Sequence, residues 1–278
     1  MNTFATISDL RRARLALAGT LGLAPTMGAL HEGHLSLVRR AKAENDHVGV
    51  SIFVNPAQFG PNEDLSRYPR DLDRDLSLLA EAGADLVWTP TPEIVYPPGF
   101  QTFVAVEQVA LPLEGQARPG HFRGVATVVA KLFNVFTPDR AYFGQKDAQQ
   151  VAVIKRMADD LNFPLEIVAC PTVREPDGLA MSSRNAYLSP DERKAATVLY
   201  RALSAARNAF DKGERGGDTL RAILSSTIAG EPLARIDYVS VADHRTLTEL
   251  DRIPDNGVLL SLAVRIGATR LIDNFLLE

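Results

Sequence analysis

Short apolar runs alternate with helical patterns through the first two thirds of the chain, and this alternation limits the fold more than any other feature. The strand-like runs span residues 21–26, 48–54, 86–88, 141–143 and 165–173. The helical patterns span residues 8–18, 33–44, 71–82, 124–136 and 149–161. Strands that are apolar along their whole length are typical of parallel sheets covered on both faces. The pattern therefore predicts an open, doubly wound, Rossmann-like α/β domain, in which ligands bind beyond the carboxyl ends of the strands.

The pattern changes after about Val173. A polar loop over 174–185 leads to a helix that begins near Pro190 and, after the Gly-rich segment 213–217, to a second helix. Three strand-like runs follow at 236–241, 258–265 and 269–275. Helices followed by strands predict a small α+β domain. We therefore expect two domains, a Rossmann-like domain over 1–173 and a smaller C-terminal α+β domain over 174–278.

Charge and composition exclude several classes of function. The formal net charge is −4, whereas a protein that holds nucleic acid through its phosphates usually has a basic surplus. The single cysteine, Cys170, permits no internal disulfide and no Cys-based zinc site. No uncharged apolar run reaches the roughly 18 residues of a membrane span, and the arginines near the N-terminus follow Asp9 within a helical pattern, unlike a signal peptide. We expect a cytoplasmic enzyme with neither a nucleic-acid nor a membrane partner.

The segment 25–34, Pro-Thr-Met-Gly-Ala-Leu-His-Glu-Gly-His, lies where the first long strand gives way to a helix. Gly28 and Gly33 allow a ligand to approach the backbone closely, and free N–H groups at a helix N-terminus favour a phosphate. His31 and His34 lie three residues apart. If the first helical turn begins at or before His31, both imidazoles share one face and could donate to the same phosphate. Two alternatives stay open. One is an ordinary helix start, and the other is a zinc site, which needs a further ligand that no second His or Cys cluster supplies.

Two more polar segments follow predicted strands. Segment 55–60 contains Gln58, whose amide suits a small hydroxy acid. The alternative is that these residues form only an ordinary Pro/Gly turn. Segment 144–150 contains Lys146, a mobile charge suited to a phosphate, and Gln150. Asp147 in that segment is also well placed to cap the next helix.

A later loop, 181–185, places two hydroxyls beside Arg184, a combination that can surround a triphosphate, although a solvated domain linker is the alternative. Asp71, Asp73 and Asp75 lie at a helix start, where carboxylates stabilise the helix dipole but where one could also help to hold Mg²⁺. The sequence has neither a GxxxxGK[ST] nor a GxGxxG motif, so any ATP is not bound through a P-loop.

Taken together, these segments resemble the pantothenate synthetase (pantoate–β-alanine ligase) family. That family belongs to the nucleotidyltransferase superfamily, which is marked by an HxGH element and a later Ser-rich loop. The matching blocks occur in family order and extend over essentially the whole chain, at residues 25–34, 51–60, 68–70, 121–124, 143–150 and 174–185.

The resemblance implies a reaction. It is the ATP-dependent condensation of (R)-pantoate with β-alanine to pantothenate, AMP and pyrophosphate, through an enzyme-bound pantoyl adenylate, on the route to coenzyme A. It also implies a homodimer that uses ATP with Mg²⁺ and no redox cofactor.

The resemblance further implies residue roles. His34 would be the proton donor, His31 would contact the phosphates, and Lys146 would join them in catalysis. Gln58 and Gln150 would hold pantoate, with β-alanine approaching near Gln58. The implied ATP-binding residues are Met27, Gly28, Ala29, Leu30, His31, Glu32, Gly33, His34, Gly144, Gln145, Lys146, Asp147, Val173, Met181, Ser182, Ser183 and Arg184.

The resemblance is incomplete at the metal. Some family members carry adjacent carboxylates where this chain reads Arg74-Asp75. Asp75 is the predicted Mg²⁺ ligand, and the position beside it carries an arginine in place of a second carboxylate.

Three other functions share part of the pattern. A nucleotidyltransferase that stops at nucleotide transfer would release pyrophosphate without forming an amide. A non-catalytic nucleotide sensor would be expected to lose the reactive His and Lys residues, which this chain keeps. A class I aminoacyl-tRNA synthetase shares the HxGH logic, but this chain is short and mildly acidic.

Overall fold

The computed structural model describes residues 1–61 and 63–277 and is built on a six-stranded sheet that is parallel throughout. The strand order is β1-β4-β3-β2-β5-β6, so the chain winds outwards from β2 in both directions, as the alternating pattern predicted. The strands are β1 (Asn2–Phe4), β2 (Leu21–Thr26), β3 (His47–Ile52), β4 (Leu86–Trp88), β5 (Arg140–Gly144) and β6 (Glu166–Cys170).

Helices cover both faces of this sheet. The helices are α1 (Ile7–Leu15), α2 (Glu32–Glu44), α3 (Leu72–Ala82), α4 (Pro92–Val95), α5 (Glu114–Ala117), α6 (His121–Phe136) and α7 (Ala148–Asp160). Helix α3 ends at Gly83, whose φ of 89° provides the left-handed cap expected there. Within the described ranges, no helix is both long enough and apolar enough to cross a membrane.

The two faces of the sheet carry separate apolar cores, which explains the continuous apolar runs in the sequence. Leu23 and Ala24 are neighbours in β2, yet Leu23 packs with Trp88 and Phe136 on one face and Ala24 packs with Leu79 on the other. Since successive side chains of a strand point to opposite faces, both must be apolar when both faces are covered.

Three local details differ from the sequence-based expectations. The strand predicted over 165–173 ends at Cys170 and forms the edge of the sheet, where most of its residues are partly or fully exposed. The opposite edge strand, β1, has only three residues and escaped prediction. Helix α1 begins at Ile7, one residue before the predicted start, and Thr6 caps it by accepting a hydrogen bond from the backbone N–H of Asp9.

The C-terminal part is a small α+β unit, as expected. Its elements are α8 (Pro190–Ala195), α9 (Val198–Asp211), α10 (Gly217–Ala229), β7 (Ala234–Ala242), β8 (Val258–Ile266) and β9 (Thr269–Leu277), and the three strands form an antiparallel sheet in that order. A third apolar cluster holds this unit together and includes Leu203, Leu224 and Leu260. The buried members of that cluster begin at Leu179, and the division after Val173 stays a prediction.

Helix α6 packs so closely on the 3₁₀ turn Pro56–Gln58 that Gly124 has no space for a side chain. A Cβ atom at Gly124 would lie 2.2 Å from the carbonyl oxygen of Ala57. We expect Gly124→Ala to lower the free energy of unfolding by about 1–3 kcal/mol, because the backbone must move and this outweighs the gain in helix propensity. Urea unfolding measures the change.

Gly60→Ala is the matched control for this prediction. A Cβ at Gly60 would meet only the Glu63 side chain, at 3.7 Å. We therefore expect the urea unfolding midpoint of Gly60→Ala to lie close to that of the wild type. Equal midpoints for the two variants would contradict the close approach of α6.

Candidate active site

Most of the predicted site residues lie around one cavity of about 220 Å³ at the carboxyl ends of the central strands. Strands β2 and β3 end in register, with Thr26 paired to Ile52, so the segments that follow them begin side by side. The predicted residues that line the cavity are Met27, His31, Gly33, His34, Gln58, Gly144, Lys146, Asp147, Gln150, Val173, Met181, Ser182, Ser183 and Arg184.

A few predicted ATP-binding residues lie near the cavity without lining it. They are Gly28, Ala29, Leu30, Glu32 and Gln145. Leu30 is only 1% exposed and packs in the core, and the exposed Glu32 pairs with Arg39. The side chains of Leu30 and Glu32 therefore shape the segment rather than face the cavity.

The two histidines form a reciprocal cap at the start of α2. His31 is the N-cap residue, and its Nδ1 accepts a hydrogen bond from the Gly33 N–H at 3.1 Å. The Nδ1 of His34 accepts from the His31 N–H at 3.4 Å, and the ring centroids lie 4.1 Å apart. Because both Nδ1 atoms are acceptors, each neutral ring carries its proton on Nε2. Each ring therefore has an N–H group to donate to a ligand.

Both imidazoles are neutral at neutral pH. Burial, followed by the charge of Lys146, lowers the pKa of His31 to about 4. Burial, with smaller contributions from His31 and Lys146, lowers the pKa of His34 to about 3. The rings thus act as hydrogen-bond donors rather than as cations until an anion raises their pKa.

Asp75 holds the turn that precedes these histidines. Its Oδ2 and Oδ1 accept hydrogen bonds from the backbone N–H groups of Ala29 and Leu30, both at 2.8 Å. Ala29 has a φ of 52°, in the left-handed region that a non-glycine residue adopts only when it is held there. Arg74 donates to the carbonyl of Leu30 at 3.0 Å, so the arginine that departs from the family pattern stabilises the same turn.

These contacts bear on the predicted Mg²⁺ site. Asp75 is 1% exposed, and both its oxygens already accept N–H groups. In the part of the chain that the structure describes, no group of three His, Cys, Asp or Glu residues is placed to hold a metal ion. The geometry favours a structural task for Asp75 over the metal-binding task predicted from the sequence.

Gln58 is fixed at the opposite side of the cavity by Asn55. The buried Asn55 donates from Nδ2 to Gln58 Oε1 and to the Gly124 carbonyl, both at 3.1 Å, and its Oδ1 accepts from the Tyr96 hydroxyl at 2.8 Å. Gln58 Nε2 lies 3.0 Å from the Met27 sulfur. A side chain held in this way is preorganised for a polar ligand.

The adjacent glutamines of α7 have different tasks. Gln150 lines the cavity. Gln149 is buried, and its side chain bonds the backbone of Glu114, Val109 and Pro112. Asp147 occupies the N-cap position of α7 but makes no capping hydrogen bond, so the capping task expected for it is wrong.

Two cavity residues, Arg118 and His121, were not predicted as site residues. His121 donates from Nδ1 to the Gln58 carbonyl at 2.8 Å, and its Nε2 accepts from Arg118 at 3.1 Å. Burial and the Arg118 charge lower the pKa of His121 to about 4. The block 121–124 was a signal for this region, but nothing in the sequence shows that His121 contacts the Gln58 segment.

Two carboxylates of the loop before α3 pair with cavity arginines. Glu63 accepts two hydrogen bonds from Arg118, at 2.8 and 2.6 Å. Asp64 accepts two from Arg184, at 3.1 and 3.0 Å. An anion that binds Arg184 must therefore compete with Asp64.

Comparison with known proteins supports one family throughout. The family model described as pantoate-beta-alanine ligase matches residues 2–276. The chain is 66% identical to the pantothenate synthetase of Roseiflexus castenholzii over 278 residues, which is 100% of both chains. It is 60% identical to that of Chloroflexus aurantiacus, over 100% of this chain and 99% of the relative.

Solved structures give the same result. The crystal structure of pantothenate synthetase from Thermus thermophilus superposes with a TM-score of 0.94 at 50% identity, over 99% of each chain. The pantoate-beta-alanine ligase of Francisella tularensis, complexed with beta-gamma ATP and beta-alanine, has a TM-score of 0.82 at 38% identity, over 99% of this chain and 97% of that chain.

The lowered pKa values of the histidines predict a pH-dependent stability. As the pH falls below about 6.5, the unfolded chain binds protons that native His31 and His34 do not bind. The free energy of unfolding is therefore greatest above that pH and falls as the pH is lowered, by up to about 1.4 kcal/mol per pH unit for each histidine. Urea unfolding between about pH 7 and pH 5 should show a shallower fall in His34→Gln than in the wild type. Equal slopes would show that His34 is not held neutral.

The contacts of Asp75 predict the effect of an isosteric change. In Asp75→Asn, one carboxylate oxygen becomes an NH₂ group that faces a backbone N–H. We expect a loss of about 1–3 kcal/mol in the free energy of unfolding, because one buried donor loses its acceptor. Asp73→Asn is the matched control, since Asp73 lies exposed in the first turn of the same helix. It removes a similar charge near the helix N-terminus without breaking a buried contact, so we expect it to lose less than about 1 kcal/mol. A wild-type stability for Asp75→Asn would refute the task given to Asp75.

Proposed function

The chain belongs to the pantoate–β-alanine ligase family, and on that basis we propose how its cavity condenses (R)-pantoate with β-alanine. The reaction consumes ATP, yields pantothenate, AMP and pyrophosphate, and passes through enzyme-bound pantoyl adenylate. The observation that carries the assignment of the site is that the segments after β2, β3, β5 and β6 contribute their polar residues to one cavity.

We place the triphosphate of ATP at the start of α2. The Nε2–H groups of His31 and His34 would donate to phosphate oxygens, supported by the N-terminal dipole of the helix. Lys146 and Arg184, with the hydroxyls of Ser182 and Ser183, would surround the remaining oxygens. The relative from Francisella tularensis was solved with beta-gamma ATP and beta-alanine, which supports ATP as the substrate here.

Pantoate would lie between Gln58 and Gln150, whose amides provide both donors and acceptors for its carboxylate and hydroxyl groups. The first step is the attack of the pantoate carboxylate on the α-phosphate. A bond forms from the carboxylate oxygen to phosphorus, and the bond from phosphorus to the pyrophosphate oxygen breaks. Negative charge builds up on the phosphate oxygens, where preorganised donors stabilise the transition state most.

The second step forms the amide. β-Alanine approaches near Gln58, and its uncharged amine attacks the acyl carbon of pantoyl adenylate. The amine loses a proton, and AMP leaves with the electron pair of the cleaved carbon–oxygen bond. Holding amine and acyl adenylate together supplies much of this acceleration, and an enclosed site protects the adenylate from water.

Mg²⁺ is expected to accompany ATP, but Asp75, its predicted ligand, does not fit a direct protein site. Asp75 is occupied by two backbone N–H groups, and its neighbour is the cation Arg74. Mg²⁺ usually keeps several waters and binds substrate phosphates with few carboxylates. We therefore propose that any ion would be carried by the nucleotide, without Asp75 as a ligand.

We also propose a homodimer without a redox cofactor, as the resemblance implies. From charge and composition, we propose that it acts in the cytoplasm with neither a nucleic-acid nor a membrane partner. We propose a catalytic domain over 1–173 and a C-terminal domain over 174–278 that covers the nucleotide.

Exchange of labelled pyrophosphate into ATP tests this assignment directly. We expect exchange only when pantoate is present, and His34→Ala should slow it by about 10²–10⁴-fold while the protein stays folded, because a donor to the transition state is lost. His47→Ala is the control, since His47 lies outside the cavity beside the Ala18 carbonyl. Exchange that pantoate does not stimulate would refute the ligase assignment.

Mass spectrometry of the products separates the related alternative. A ligase forms pantothenate and AMP when β-alanine is added, whereas an enzyme that stops at nucleotide transfer accumulates the adenylate. Unchanged turnover in His34→Ala would refute the task given to that residue.

A further inference from the structure

The last strand of the C-terminal sheet contacts the turn that carries Lys146. Asn274 in β9 donates from Nδ2 to the carbonyls of Gln145 and Lys146, at 2.9 and 2.8 Å, and its Oδ1 accepts from Gln145 Nε2 at 3.3 Å. Asn274 is only 4% exposed. Both the NH₂ group and the oxygen of the Asn274 amide therefore bond to one turn, in the loop that follows β5 of the parallel sheet.

The preceding residue, Asp273, contacts the loop that follows β6. Asp273, 2% exposed, accepts two hydrogen bonds from Arg174, at 2.6 and 2.9 Å. Arg174 directly follows Val173 and also donates to the Gly178 carbonyl at 3.0 Å. Consecutive residues of β9 therefore hold the loop after β5 and the loop after β6.

The turn at 145–147 has little local support of its own. It is a single 3₁₀ turn without a side-chain cap, and Asp147 does not cap the helix that follows. The Lys146 ammonium lies 4.0 Å from Asp147 Oδ1, a loose pair. The position of Lys146 therefore depends on what binds the carbonyl groups of its own turn.

We infer that Asn274 is a positioning residue for Lys146: by binding the carbonyls of residues 145 and 146, it sets where the lysine ammonium meets the triphosphate. The inference rests on the proposed task of Lys146 in phosphate binding. The nucleotide site then depends on the position of the C-terminal sheet, because moving β9 away would break the contacts that hold this turn.

Asn274→Asp tests the inference with almost no change of shape. A carboxylate has no hydrogen to donate, so it faces two carbonyl oxygens that it repels. Ser261→Ala is the matched control. Ser261 pairs with Asn274 in the sheet register and is 6% exposed, and its hydroxyl is buried without a hydrogen-bond partner among the described residues.

The measured quantity is pantoate-dependent exchange between ATP and pyrophosphate, first with ATP varied at saturating pantoate and then with pantoate varied at a fixed ATP concentration. Thermal unfolding is recorded for every variant. For Asn274→Asp we expect kcat/KM for ATP to fall by about 10–100-fold, the effect of displacing a catalytic group by about 1 Å. The KM for pantoate should stay within about twofold, since Gln58 and Gln150 are untouched. Ser261→Ala should behave like the wild type.

A double-mutant cycle distinguishes positioning from a general structural effect. If Asn274 acts through Lys146, adding Asn274→Asp to Lys146→Ala should cost less than about threefold more. If Asn274 only supports the fold, the two losses multiply, and the inference fails. Wild-type exchange in Asn274→Asp also overturns it.

Two further outcomes are distinguishable. If Asn274→Asp does not fold, Asn274→Ser removes the same contacts without adding charge and enters the same cycle. If Lys146→Ala alone leaves exchange unchanged, the proposed task of Lys146 is wrong, and the inference about Asn274 falls with it. If Lys146→Ala slows exchange as expected and the loss in Asn274→Asp multiplies with it in the double variant, the inference is refuted. The ligase assignment is unaffected by that result.

Discussion

The burial of both faces of the parallel sheet is the constraint on which the rest of this structure depends. Leu23 and Ala24 show how it restricts the sequence: these neighbours in one strand face different cores, so both must be apolar. The strands then contribute little chemistry along most of their length. The polar residues of the cavity lie at or beyond the strand ends, and parallel strands bring those ends to one edge. A single cavity built from widely separated segments is the consequence.

At that edge, the same atoms serve both structure and chemistry. The Nδ1 atoms of His31 and His34 cap the helix, and this fixes the proton on Nε2. Burial keeps the rings uncharged, so they do not repel each other or Lys146. Helix capping thus selects the tautomer that phosphate binding needs, and a substitution that preserves the imidazole but moves the backbone would disturb both.

The sequence predicted what depends on periodicity and local motifs, and it missed what depends on distant pairing. Apolar runs and Gly/Pro punctuation located β2 to β5 because burial imposes those patterns. The three-residue β1 carries too short a pattern to detect. Asp75 was identifiable only as a carboxylate at a helix start, since its partners are backbone groups about 45 residues away in sequence. The contact between Arg118 and Glu63 was hidden for the same reason.

If the cavity binds a triphosphate as proposed, the charges around it should make the position of Lys146 matter more than that of the arginines. Arg118 and Arg184 are each bound by a carboxylate through two hydrogen bonds, so a phosphate gains from either only the difference between two ion pairs. Lys146 has a loose partner at 4.0 Å, and its charge is available at a smaller loss. Because the lysine ammonium is a point charge on a flexible side chain, its attraction to a phosphate depends on where the side chain is held. Asn274 holds the turn that carries Lys146 from a separate sheet. We therefore propose this turn as the point at which the C-terminal unit most directly affects the chemistry of the N-terminal one.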